Sequence, residues 1–194
     1  MHSSKILALV ACFAKLGMTL EAPVEGYEVV DLVWDVVTPG GESLTVTGSV
    51  QDVVAEITTI EPGFNVLENV APVSVRRRTA DDIFRRQNSD RRCGGPWPFC
   101  NAGRIQEGIN YLRGVGGQPR EGPGPGRCGR VSCSYNAAIW WCNDNNFEKV
   151  LYGFNAIANS AQYIKDGCTS GPNLVAGQNF ERDGWNTIVR EDRC

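Results

Sequence analysis

The stretch VSCSYNAAIWWC, residues 131–142, decides how this chain reads. Its β-branched and aromatic residues suit one or two strands. Trp140 and Trp141 are adjacent, so on a strand they point to opposite faces and at most one is core-facing. Downstream, Asn143-Asp144-Asn145-Asn146 reads as a polar turn and cap. Phe154, Ile157, Ala158, Ala161 and Ile164 then recur at helical spacing, which predicts a helix over 150–165 with Gly167 as its stop. Residues 175–190 place Asp183-Gly184 between two strand-like runs, a strong hairpin signal. Upstream, Ile105, Ile109 and Leu112 predict a helix over 101–115, capped by Asn101 and stopped by Gly116-Gly117. The proline- and glycine-rich stretch 118–130 reads as a loop. The order helix, strands, helix, C-terminal hairpin predicts a small α+β sandwich over 93–194.

That region also holds seven of the eight cysteines: Cys93, Cys100, Cys128, Cys133, Cys142, Cys168 and Cys194. The eighth is Cys12, and none lies between it and Cys93. No C-x-x-C pair is present, so disulfides are expected rather than a thiolate metal site. Three bridges are expected, with one cysteine unpaired or joined to another chain. Cys93 and Cys100 compete for that role, and Cys93 is favoured because cleavage after Arg92 would make it the first residue.

The start of the chain reads as a signal peptide over 1–20, with Lys5 ahead of the apolar run 6–14. That run is too short to span a bilayer, and no transmembrane segment is expected. Residues 21–75 carry ten acidic side chains and no Lys or Arg. Within them, 27–37 and 43–48 read as strands around the turn Thr38-Pro39-Gly40-Gly41. Ser49 with Asp52 caps a helix carrying Val50, Val53, Val54 and Ile57. A small ββα pro-segment is the expectation, with little core of its own. Residues 76–92 hold seven arginines in three clusters and read as a linker. Arg78, Arg86 and Arg92 are candidate cutting sites for a kexin-type protease, giving a mature domain that begins at Gln87 or Cys93.

The chemistry is bounded by what is absent. The only histidine is His2, so Ser-His-Asp and Cys-His catalysis and histidine-assisted zinc sites are excluded from the mature region. No metal and no cofactor is expected. Carboxylates that could form a glycosidase-like pair are Glu107, Asp144, Glu148, Asp166, Glu181 and Asp183, and their spacing singles out no two. The aromatics Tyr135, Trp141 and Trp185, with Trp97 and Trp140, could form a sugar-stacking platform. Ten basic and nine acidic residues from Cys93 onward give no electrostatic case for nucleic acid. Gly122-Pro-Gly-Pro-Gly126 lacks the backbone donors a phosphate cradle needs.

The residues CGRVSCSYNAAIWWCND, AQYIKDGC and GQNF with WNTIVR resemble, in their layout, the fungal killer-toxin-like and necrosis-inducing effector group. The resemblance covers about 90 residues, 105–194. It implies a secreted, disulfide-bonded α/β sandwich that acts on host or competitor cells without catalysis, after its acidic leader is removed. The target is then an extracellular protein or glycan. The alternatives are a carbohydrate- or cell-wall-binding protein, a hydrolase with a carboxylate pair, and a protease inhibitor that presents the loop 118–127.

Overall fold

The computed structural model describes residues 20–68 and 90–194. The signal-peptide stretch before residue 20, the cutting sites Arg78 and Arg86, and a new terminus at Gln87 lie outside the described residues.

The acidic segment forms strands β1 (Glu28–Val29), β2 (Val33–Val37) and β3 (Ser43–Thr47), then helix α1 (Val50–Ile60). Strands β2 and β3 and helix α1 follow the expected ββα order, with β1 as a further short strand ahead of them. Ser49 N–H donates to Asp52 Oδ2 at 2.7 Å, closing the start of α1. The cysteine-bearing part begins with β4 (Asp90–Cys93), β5 (Cys100–Asn101) and helix α2 (Ala102–Gly114). Asn101 caps α2 by accepting from the backbone N–H groups of Gly103 and Arg104. There follow β6 (Gln118–Glu121), β7 (Arg127–Ser134), β8 (Ala137–Asn143), β9 (Lys149–Val150) and helix α3 (Phe154–Cys168). The chain closes with β10 (Leu174–Val175), β11 (Gly177–Glu181) and β12 (Trp185–Glu191). The result is a mixed α+β fold with three disulfides among the described residues.

The central sheet has the order β1-β7-β8-β12-β11-β4. Strand β8 is buried along its whole length, because both of its faces are covered. Ile139 and Trp141 face a core shared with α1, α2 and α3, while Trp140 and Cys142 face a second core with Ile188 and Trp97. Leu20, Val24, Tyr27 and Val29 of the acidic segment pack on that second core. Both tryptophans are therefore buried in a core, where strand alternation alone leaves at most one core-facing. Hairpin β11–β12 turns at Asp183-Gly184 as its sequence predicts, with Gly184 at φ 76°. The turn between β7 and β8 is Tyr135-Asn136, both with positive φ, the two-residue form that matches strand twist.

A second sheet has the order β3-β2-β6-β9 and joins the two parts of the chain. Strand β2 pairs with β6, placing Val33 opposite Arg120 and Trp34 opposite Pro119. Residues 118–121 are thus a strand and not the expected loop. Pro119 is tolerated there because its carbonyl, not the N–H it lacks, makes the bond that Leu151 N–H donates. Residues 149–150 extend this sheet, so α3 begins at Phe154 and not at residue 150. Helix α3 also runs past Gly167, which serves packing: a Cβ there would overlap the Arg91 guanidinium.

The acidic segment and the cysteine-bearing part share one core. Leu32, Trp34, Val36, Val50, Val53, Ile57 and Val66 sit in the same cluster as Ile109, Leu112, Phe154 and Ile157. Each such side chain contributes about 1.5–3 kcal/mol when taken from water. The Trp34 and Phe154 rings stack with centroids 4.6 Å apart. Trp34→Ala is expected to lower the stability of the whole protein by about 3–5 kcal/mol. Denaturant unfolding followed by circular dichroism checks this, and a change confined to a separate early transition would show that the two parts fold independently.

Candidate functional site

The open face of the second sheet is a surface on which exposed apolar groups gather by strand register. Strand β2 alternates, with Trp34 and Val36 inward and Val33, Asp35 and Val37 outward. Across β6 the row continues from Val33 through Arg120 to Val150. Tyr152 lies on the exposed side of Leu151, which is buried. Val33, Val37, Val150 and Tyr152 are 44%, 50%, 40% and 61% exposed. An ion cluster crosses their middle. Arg120 Nη1 lies 3.0 Å from Glu148 Oε1, and its Nε 3.7 Å from Asp35 Oδ2. Thr45 Oγ1 donates to Asp35 Oδ1 at 3.1 Å. These pairs are exposed and add little stability, but they fix the direction in which charge is presented.

Beneath this face lies Glu121, buried on the inner side of β6. Its Oε1 accepts from the Gly122 N–H at 3.1 Å, while Arg127 Nε stands 3.6 Å away, beyond a good hydrogen bond. Burial pushes the Glu121 carboxyl up to about 7, with Arg127 and the Gly122 N–H opposing and Glu28 adding to the rise. Lys149, opposite Glu121 across the β6–β9 pair, sends its ammonium to Asp183 at 2.6 Å.

The carboxylates read as catalytic candidates are each held by a cation or donor. Glu107 pairs with Arg104 at 2.8 Å, Glu148 with Arg120 and Asp183 with Lys149. Asp166 accepts from Gln162 and Glu181 from Asn179. Asp144 accepts from Tyr27 Oη at 2.9 Å and from Asn186 Nδ2 at 2.8 Å. Burial and this carboxylate push the Tyr27 phenol up to about 12. The turn Asn143-Asp144-Asn145 proves to be a knot. Asn143 Nδ2 donates to the carbonyls of Gly122 and Phe147, and Asn145 Nδ2 to those of Asp183 and Gly184. Sequence reasoning missed Asn186 and Gln178, which continue this chain of bonds. Their only signal was polarity at strand positions that face a buried layer.

The aromatic platform is not assembled. Trp141 and Trp185 are buried, at 0% and 5% exposure, because helices cover that face of β8 and β12. Tyr135 alone of the three is exposed, at 75%, and the Arg104 guanidinium covers one side of its ring at 4.0 Å. The stretch 118–127, read as an inhibitory loop, is strand β6 and a short connection held by Asn143 and Asn145. Arg92, the cutting site within the described residues, lies in β4, paired to β11.

The bridges join Cys93 to Cys168, Cys128 to Cys142 and Cys133 to Cys194. Cys93 is therefore not the odd cysteine. Among the described residues the free one is Cys100, buried where β5 meets β10. Its Sγ–H lies 3.4 Å from the Val175 carbonyl, and burial pushes its thiol up to about 12.

No family model, no curated protein and no solved structure matches this chain. Among the described residues no group of three or more His, Cys, Asp or Glu side chains is placed to hold a metal ion.

Two outcomes follow from the buried groups. A thiol that is buried and kept protonated does not react, so Cys100 should resist iodoacetamide in the native protein and be alkylated after denaturation. Peptide mapping of both samples reads this directly. For Glu121, the folded form holds its proton to higher pH than the unfolded form, which releases it near 4.5. The folded state thus binds more protons between 4.5 and about 7, so stability falls as pH rises through that window. Melting temperatures across the range should show this decline, and Glu121→Gln should flatten it.

Proposed function

We propose that this is a secreted protein that acts by binding at the surface of a host or competitor cell rather than by turnover, as the killer-toxin-like and necrosis-inducing effectors of fungi do. The observation that carries this reading is the open face of the β3-β2-β6-β9 sheet. Val33, Val37, Val150 and Tyr152 are exposed there around the Asp35–Arg120–Glu148 cluster. A surface with apolar rows and fixed charges suits a protein partner: the apolar groups supply affinity and the charges orientation. Three disulfides support an oxidising compartment, and the apolar run 6–14 supports export. No helix among the described residues is long and apolar enough to cross a membrane.

The face joins β2 and β3 of the acidic segment to β6 and β9 of the cysteine-bearing part, so it exists only where both are together. This shifts the reading away from a cysteine-rich domain that acts alone.

The test is binding of the fluorescently labelled, oxidised full chain to intact cells, protoplasts and isolated wall glycans. The double variant Val33→Glu, Val150→Glu should lose at least tenfold in binding with an unchanged melting temperature. Tyr135→Ala should bind as the parent does. Full binding by the double variant would move the contact elsewhere, and loss with Tyr135→Ala alone would place it at the β7–β8 turn. Hydrolysis of a wall polymer by the parent, abolished in Glu148→Gln, would replace binding with catalysis.

A further inference from the structure

We propose that residues 20–68 are a permanent half of the working particle: cutting the connection leaves two pieces held together without a covalent bond, and Arg91-Arg92 is not a cutting site. The first part goes beyond the binding role and is read without any target present.

Three independent observations carry it. The first is an imprint. Glycines of the cysteine-bearing part leave room that the acidic segment fills. A Cβ at Gly129 would overlap Leu32, one at Gly114 would overlap Val66, and one at Gly126 would press on the Tyr27 ring. The second is strand pairing across the divide, parallel between β1 and β7 and antiparallel between β2 and β6. Without residues 20–68 the ladder of β6 would lose one side and the buried face of β8 would lose part of its cover. The third is a set of bonds that each side lends the other. Gln51 Nε2 donates to Ser132 Oγ at 2.9 Å, and the Cys133 N–H donates to Gln51 Oε1 at 3.2 Å. Trp97 Nε1–H donates to the Pro23 carbonyl at 2.5 Å and Tyr27 Oη to Asp144. Residues 20–68 contain no cysteine, and the three bridges among the described residues all lie between Cys93 and Cys194, so none of them ties the piece down. Packing alone must retain it.

The dibasic pair before Cys93 is occupied by the fold. Arg91 and Arg92 stand opposite Asn179 and Gln178 in the β4–β11 ladder, which continues through Cys93 to the Gly94 N–H. Arg91 Nη1 donates to the Tyr163 carbonyl at 2.9 Å, and its guanidinium lies 4.1 Å from the Tyr163 ring centroid. Arg92 lies over the Phe180 ring and pairs with Asp90 at 2.8 Å. The Cys93–Cys168 bridge fastens the end of the strand to α3. A protease must draw its substrate into its cleft as a free extended segment, and a laddered, bridged strand is available only when it opens.

The experiment uses the oxidised full chain in two forms. One is treated with a kexin-type endoprotease. The other carries the recognition sequence of a site-specific protease in place of residues 79–84 and is cut there. Intact mass, denaturing gels and native size-exclusion chromatography are read for both. We expect no fragment that begins at Cys93. We expect the two pieces of the second form to co-elute at the size of the uncut chain, and to part in denaturant without reductant. Gly129→Val in that form should release the N-terminal piece after cutting, and Leu32→Ala in the same chain should restore co-elution. A fragment beginning at Cys93, separate elution of the pieces of the parent, or resistance of the inserted site would overturn the proposal.

Discussion

The stack of Trp34 on Phe154 is the contact on which the rest of the structure depends. Trp34 is one of the two inward residues of β2, with Val36, and Phe154 is the first residue of α3. The indole N–H donates to the Gly48 carbonyl, so the same ring also sets where the hairpin ends and α1 begins. It lies in the core that the two parts share, while Leu20, Val24, Tyr27 and Val29 join them on the other face of the central sheet. Strand β6 has four residues and β9 has two, too few to make a stable sheet alone. They become one because β2 is held beside them by a buried indole.

The two parts are held by different means, and the difference follows from their sequences. The cysteine-bearing part carries the loops rich in glycine and proline, and its three bridges limit the freedom of the unfolded chain. One bridge crosses β7 and β8, one pins the C-terminal Cys194 to the end of β7, and one ties β4 to α3. The acidic segment has no such constraint. It is held by seven buried apolar side chains and by hydrogen bonds to Ser132, Cys133, Asp144 and Trp97. Its acidic residues face solvent around that apolar stripe, as on the outer side of β2 and α1.

This arrangement connects folding to the proposed binding role. The face with Val33, Arg120 and Val150 is a product of strand pairing between distant residues, so its geometry reports the union of the two parts. Glu121 lies directly under it, and the loosely satisfied Arg127–Glu121 pair sits where β1, β6 and β7 converge. The chain's one histidine, His2, lies outside the described residues, and the candidate carboxylates are tied to cations and amides that hold loops and helix faces in place.

What the sequence by itself determined is local. Asp183-Gly184 made a hairpin because a tight turn needs a residue that accepts positive φ, and that need is met within four residues. Asn101 capped α2 and Ser49-Asp52 capped α1 for the same kind of reason. Periodicity placed Ile157, Ala161 and Ile164 on the buried side of α3. The cysteine pattern foretold three bridges. What only the tertiary structure decided depends on partners far away in the chain. Trp140 is covered because residues 20–29 lie across its face, which no pattern near residue 140 can announce. Residues 118–121 and 149–150 are strands because β2 supplies the ladder, although a proline and a short run suggested a loop and a helix. Cys93 is bridged and Cys100 is not, since β4 brings the former to the end of α3 while β5 buries the latter. A turn or cap is settled by the geometry of a few consecutive residues, whereas burial, strand pairing and disulfide choice are settled by which surfaces meet.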